Sequence, residues 1–110
     1  MEFREVKFFQ KRIEDLDAHE YFDKLKMELS QTPAKGDVIP GMDGLRKVRM
    51  GLPNRGKSGG ARVLYLFFPE TQKILFLFVY SKGEMEKLSP DGIKAAKRFV
   101  AQMKKEYGSC

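Results

Sequence analysis

Two long apolar runs set the pattern of the chain. Residues 61–68 (ARVLYLFF) and 73–81 (KILFLFVYS) are apolar at nearly every position, which is the signature of strands covered on both faces. Side chains alternate along a strand. The first run therefore divides into Val63, Tyr65 and Phe67 against Leu64, Leu66 and Phe68, and the second into Ile74, Phe76 and Phe78 against Leu75, Leu77 and Val79. Pro69-Glu70-Thr71-Gln72 reads as the turn between them, so the pair is antiparallel. A shorter strand precedes the pair, and its alternation sends Val48 and Met50 to one face and Lys47 and Arg49 to the other. Phe3 to Phe8 alternates loosely and predicts a short edge strand, followed by a helical turn at Phe9 to Glu14.

Ala18, Phe22, Leu25 and Leu29 recur at helical intervals and predict a helix that lays one stripe on the sheet and stops before Pro33. Asp17 and Glu20 have the spacing of a capping box at its start. Ser89-Pro90-Asp91 opens a second helix with a cap, proline at the first position and an acid near the positive dipole end. Its stripe is Ile93, Ala96, Val100, Met103 and Tyr107, with Lys94, Lys97, Arg98, Lys104 and Lys105 lying off it. Thr32 to Asp43 and Gly51 to Gly60 are rich in glycine, proline or both and read as loops, the second of them basic. The expected fold is α+β, a small antiparallel sheet with N-terminal helices on one face and a C-terminal helix. It forms one domain over residues 1–107, with 108–110 a flexible tail.

A chain of 110 residues fits a single core, since a domain of this size buries roughly 65 % of its unfolded surface. At 42 % hydrophobic and 33 % charged residues, neither a disordered nor a fibrous chain fits. The net charge of +6 changes the picture more, because a small basic domain attracts polyanions before any specific contact forms. Nucleic acid and anionic membrane are the two candidates. The last helix is amphipathic and basic, but its stripe is spaced for packing on a sheet that needs cover, which argues against the membrane. The longest apolar run, Ile74 to Tyr80, falls far short of the roughly 20 residues of a membrane span. No apolar signal region opens the sequence, and a cytoplasmic location is expected. Cys110 is the single cysteine and has no partner for an internal disulfide. His19, the single histidine, has no second histidine or cysteine nearby to begin a metal site. The Gly51–Gly60 loop lacks the GxxxxGK[ST] spacing of a nucleotide-binding loop. No metal or cofactor is expected.

Charge is concentrated in one stretch. Between Gly44 and Lys82, the cations Arg46, Lys47, Arg49, Arg55, Lys57 and Arg62 precede the first acid of the stretch, Glu70, and Lys82 follows Tyr80 and Ser81. If the three strands pair antiparallel in order, the ends carrying Lys47, Arg49, Arg62 and Lys82 come near one another. The stretch holds no Ser/His/Asp set, no Cys/His set and no carboxylate pair, so any reaction there runs on lysine, arginine and tyrosine. One reaction suits those groups: cleavage of RNA by its own 2′-hydroxyl. The substrate brings the nucleophile, and the protein moves two protons and stabilises a dianionic phosphorane. A second cation about 5 Å from a lysine, at an effective dielectric near 20, costs roughly 3 kcal/mol, or about two pKa units, which makes a lysine usable as a base. Arginine keeps its charge and offers a planar fork to phosphate oxygens.

The string GDVIPGMDGLRKVRMGLPNRGKSGGARVLYLFF, followed by FVYSKGEMEKLS, resembles the RelE/ParE superfamily of bacterial toxins, most closely its RelE-like HigB-type branch, over about Glu20 to Lys105. The resemblance implies two N-terminal helices on a small antiparallel sheet with a C-terminal helix. It implies an endoribonuclease that cuts messenger RNA, often in the A site of the small ribosomal subunit, and a cognate antitoxin as partner. Lys47, Arg49, Arg62 and Lys82 match the family's catalytic cations. Gly83 stands where RelE has an arginine, and the tyrosine that stacks in RelE has no counterpart near Leu88, although Tyr80 is close in sequence. On this reading Lys47 or Lys82 transfers protons and Arg49 and Arg62 hold the phosphate. Arg55 and Lys57 dock the RNA backbone, with Arg46 and Tyr80 as further RNA contacts. The alternatives are a ParE-like toxin that binds gyrase, an RNA-binding module without chemistry, and a basic surface that only keeps the protein soluble.

Overall fold

The computed structural model describes residues 1–54, 60–84 and 89–108. In chain order the elements are β1 (Glu2–Glu5), α1 (Lys7–Asp15), α2 (His19–Gln31), β2 (Asp37–Val38), β3 (Arg46–Met50), β4 (Ala61–Phe68), β5 (Lys73–Ser81) and α3 (Pro90–Gly108). The strands form one sheet in the order β1-β5-β4-β3-β2. Its core, β3-β4-β5, is antiparallel as the apolar runs predict, and the architecture is α+β. The sheet is nonetheless mixed, because β1 runs parallel to β5, with Phe3 beside Ile74 and Glu5 beside Phe76. Alternation within β1 says that it is a strand but carries no information about the direction of its partner. A two-residue edge strand, β2, also lies inside the segment expected to be loop, pairing Asp37 with Lys47 and Val38 with Arg46.

Both faces of the sheet are covered, as strands without a polar face require. On one side α1 and α2 bring Phe9, Ile13, Phe22, Leu25 and Leu29 against Val48, Val63, Tyr65, Phe76 and Val79. Phe76 is the hub there, with Phe9 at 5.3 Å and Phe22 at 4.8 Å between ring centroids. On the other side α3 places Val100 and Met103 over Leu66, Phe68, Leu75 and Leu77.

Strict alternation fails in β5. Leu64 pairs with Phe78 and Tyr65 with Phe76, so Leu77 is an extra residue, a β-bulge. The bulge inverts the phase of the strand. Ile74 and Phe76 face α1 and α2, Leu77 and Phe78 both belong to the α3 side, and Val79 returns to the α1/α2 side. The division of β5 by simple alternation is therefore correct through Leu77 and fails at Phe78 and Val79.

Two helix starts behave differently. Ser89 caps α3 as expected, its Oγ accepting the Gly92 N–H at 3.1 Å. The capping box before α2 does not form: Ala18 is the cap residue, and Asp17 sits in the left-handed region at φ 52°. Its carboxylate makes no cap hydrogen bond because the residue is used to turn the chain between α1 and α2, with Asp17 N–H donating to the Glu14 carbonyl and Ala18 N–H to that of Ile13. The stripe of Ala18, Phe22, Leu25 and Leu29 is buried throughout.

The stripe of α3 is buried only in its second half. Val100 and Met103 are covered, whereas Ile93 is 40 % exposed and Ala96 half-buried. Lys104 Nζ donates to the carbonyl and carboxylate of Asp43, both at 3.1 Å, and Lys73 Nζ donates to the Tyr107 carbonyl at 3.2 Å. These contacts anchor the C-terminal half. The N-terminal half stands off the sheet and leaves a groove.

Candidate nucleic-acid interface

The register of β3, β4 and β5 assembles most of the cations that the sequence singles out. Arg49 pairs with Arg62, and Arg62 with Tyr80, so the three lie in one row across three strands. Directly paired residues on neighbouring strands share a face, here the face that α3 covers farther along. Lys47 lies one pleat away on that face, in the row Lys47-Leu64-Phe78.

Tyr80 joins this row because of the bulge. Under unbroken alternation through Leu77, Tyr80 would have the phase of Phe76 and point toward α1 and α2. Its hydroxyl is pushed up from its ordinary value by burial, against the pull of the Arg62 charge beside it. At neutral pH Tyr80 therefore keeps its proton, which leaves a hydroxyl able to donate and an aromatic face.

Lys82 lies beyond the end of β5, on the opposite side of the arginine row from Lys47. Its N–H donates to the Gly60 carbonyl at 2.8 Å, and it occupies the second position of a tight turn closed by Glu84 N–H to Ser81 C=O at 3.0 Å. Gly83, third in that turn, has φ 99°, a conformation that glycine adopts without strain. Lys47 and Lys82 thus flank the arginines from the two strand directions, each about 7 Å along the strand from its neighbouring row at roughly 3.3 Å per residue. Among the described residues no carboxylate forms an ion pair with Lys47, Arg49, Arg62 or Lys82.

Arg46 is not brought to this face. Its neighbour in the register is Tyr65, on the α1/α2 side. Its Nη1 donates to the carbonyls of Gly36 at 2.7 Å and Ala34 at 3.2 Å. It staples the segment leading into β2, together with the buried Tyr65 hydroxyl, which accepts the Gly36 N–H at 2.9 Å and donates to the Pro33 carbonyl at 2.8 Å. Arg55 and Lys57 lie outside the described residues, as does Cys110.

Two features escape a reading of the sequence. Asp37, on the edge strand, is the register partner of Lys47 and puts an acid beside the cations. The only hint was a two-residue strand inside a loop, which has no periodicity to detect. The second is the groove of about 770 Å³ beneath the N-terminal half of α3, bordered by Phe8, Leu64, Phe78, Ile93 and Phe99, with Lys47, Tyr80 and Lys97 among its lining. One polar end of this apolar groove thus opens beside the arginine row.

A five-stranded mixed sheet with two helices on one face and a C-terminal helix on the other is the fold of a bacterial toxin of known structure. The chain is similar to the isolated E. coli RelE toxin in its crystal structure, with a TM-score of 0.56 over 89 % of this chain and 97 % of that one, at 20 % sequence identity. The family model for the RelE toxin of the RelE/RelB toxin-antitoxin system matches residues 8–108. The chain belongs to the RelE toxin family and is the toxin of a toxin-antitoxin pair.

Proposed function

We propose that this toxin is an endoribonuclease that cuts messenger RNA on translating ribosomes, using the 2′-hydroxyl of the RNA as nucleophile, and that it acts in the cytoplasm until a cognate antitoxin binds it. The observation that carries the reading is the Arg49-Arg62-Tyr80 row flanked by Lys47 and Lys82. Membership of the RelE family supports the same substrate.

In this mechanism Arg49 and Arg62 hold the non-bridging oxygens of the scissile phosphate, where negative charge grows as the phosphorane forms. Attack requires one proton to leave the 2′-oxygen and another to reach the 5′-oxygen as its bond to phosphorus breaks. Attacking and leaving oxygens lie on opposite sides of phosphorus, and Lys47 and Lys82 lie on opposite sides of the arginine row, so the two transfers fall to these two lysines. The products are a 2′,3′-cyclic phosphate and a 5′-hydroxyl. Tyr80 donates a hydrogen bond to the substrate and offers its ring to a base. Arg55 and Lys57 are proposed to dock the RNA backbone, and Arg46 is given the structural role described above.

The test is end-mapping of messenger RNA after brief induction of the wild-type toxin, with Arg62→Ala as control. New 5′-hydroxyl ends that vanish in the control are expected. Intact RNA would overturn the proposal, and intact RNA together with stalled gyrase would point to the ParE-like alternative.

A further inference from the structure

Lys82 projects from a four-residue turn, Ser81 to Glu84, that is tied to a different part of the molecule. One oxygen of Glu84, Oε1, gathers three donors: the Ser81 N–H at 2.7 Å, the Ser81 hydroxyl at 2.6 Å and Arg12 Nη2 at 2.7 Å. Arg12 belongs to α1, 72 residues away in sequence, and its Nε also donates to the Val79 carbonyl at 3.4 Å. The next residue of α1, Ile13, is buried in the core, so the guanidinium is carried on a fixed helix. Glu84 thus closes the turn on itself twice, through its backbone to the Ser81 carbonyl and through its carboxylate to Ser81, and α1 holds the closed turn from outside. Hydrogen bonds to a carboxylate are among the stronger ones available to a protein. The Glu84 carboxyl is held below the usual range by the Ser81 hydroxyl and N–H first and by Arg12 after them.

A surface turn with a glycine at its third position has many accessible conformations, and a lysine at its second position would be poorly placed for chemistry unless something restricted the backbone. We propose that Glu84, clamped by Arg12, is a positioning residue for cleavage: it fixes the Ser81–Glu84 turn and so holds the backbone from which Lys82 reaches the scissile phosphate. This rests on Lys82 taking part in the reaction. Glu84 touches neither substrate nor reacting atoms in this account. Its effect passes through the turn to one lysine, and a misplacement of about 1 Å at a reacting group can cost a hundredfold in rate.

The experiment is single-turnover cleavage of messenger RNA on programmed ribosomes, with rate and half-saturating toxin concentration measured separately, for Glu84→Ala, Glu84→Gln, Arg12→Ala, Lys82→Ala and the double variant Glu84→Ala/Lys82→Ala. Glu84→Ala is expected to lower the maximal rate by roughly tenfold to a hundredfold without moving the half-saturating concentration. Glu84→Gln, which keeps an acceptor for Ser81 but loses the charge facing Arg12, is expected to fall between Glu84→Ala and wild type. Arg12→Ala reaches the same turn from the other side and is expected to lower the rate as well. The double variant should be no slower than Lys82→Ala alone. If Lys82→Ala is impaired while Glu84→Ala and Arg12→Ala cleave at the wild-type rate, or if the Glu84 and Lys82 losses multiply, the positioning role is wrong. If Lys82→Ala itself cleaves normally, the catalytic role of Lys82 fails, an outcome the same data separate from the other.

Discussion

Arg49 stands directly opposite Arg62 in the register of β3 and β4. Like charges facing each other across a sheet destabilise it, by about 0.2–1 kcal/mol on the scale of cross-strand pairs. An arrangement that costs stability in the free protein, and that in the proposed mechanism holds a phosphate between two forks, is expected at a functional site. Arg62→Gln is therefore predicted to leave the melting temperature unchanged or raise it slightly, while lowering RNA cleavage by roughly a hundredfold to a thousandfold, the range typical of losing one donor to a developing oxyanion. Thermal unfolding and a cleavage assay on the same preparation check both halves. A variant that melts much lower would show that the pair stabilises the sheet instead.

Tyr80 separates stacking from hydrogen bonding. Base stacking on an aromatic side chain is worth about 1–3 kcal/mol by alanine substitution, so Tyr80→Ala should lose roughly tenfold to a hundredfold in kcat/KM. Tyr80→Phe keeps the ring and should recover most of that loss. If Phe is as poor as Ala, the hydroxyl and not the ring is the working group.

The staple of the segment before β2 gives a prediction about stability. The Tyr65 side chain is fully buried, and its hydroxyl both accepts from Gly36 and donates to Pro33. Tyr65→Phe leaves the Gly36 N–H and the Pro33 carbonyl without that partner, at a cost of about 1–3 kcal/mol. Urea denaturation measures it. A Cβ on Gly36 would lie 2.9 Å from the same hydroxyl and 3.0 Å from the Lys47 carbonyl, so Gly36→Ala should destabilise by a different route, a backbone clash.

Acid should loosen the turn that carries Lys82. The folded-state pKa of Glu84 is lowered relative to its ordinary value of 4.5, so its contribution to stability is complete above that value and is lost as pH falls through the lower, folded value. Its side chain is 46 % exposed, and solvent screening keeps the effect small. In melts from neutral to strongly acidic pH, Glu84→Gln is predicted to lose stability less steeply than wild type below about pH 4.5, with the two curves parallel above it. Curves that stay parallel throughout would mean that the ion pair and hydrogen bonds of Glu84 contribute nothing in solution.

Much of this architecture can be read from the sequence, and the exceptions share a cause. The bounds of β4 and β5, the stripe of α2 and the Ser89 cap follow from local periodicity and local chemistry, which the structure has no reason to override. The face of Tyr80 does not, because a bulge is a relation between two strands: Leu77 is extra only with respect to Leu64 and Tyr65 of the neighbour. The parallel pairing of β1 and the placement of Asp37 beside Lys47 are likewise tertiary. Arg46 shows the same limit from the other side. It sits in the same run of cations as Lys47 and Arg49, but strand parity and the carbonyls of Ala34 and Gly36 draw it to the opposite face. Asp17 has the composition of a helix cap and is used as a turn.

The uneven docking of α3 leads to the last prediction. Its five-residue apolar stripe predicts burial along the whole helix, yet only Val100 and Met103 are fully covered, Tyr107 is partly so, and Ile93 is 40 % exposed over the groove. Truncating a covered residue removes packed contacts and leaves a cavity, so Met103→Ala should cost about 2–5 kcal/mol. Ile93→Ala removes a side chain that is already 40 % exposed over the groove and should cost less, about 1 kcal/mol or under. Chemical denaturation of the two variants under identical conditions gives the comparison, and hydrogen exchange along α3 should show amides near Ile93 opening more readily than those near Val100. Equal losses at the two positions would mean that the helix lies flat on the sheet in solution and that the groove beside Lys47 and Tyr80 is closed, leaving a flat cationic surface in place of a pocket for a base.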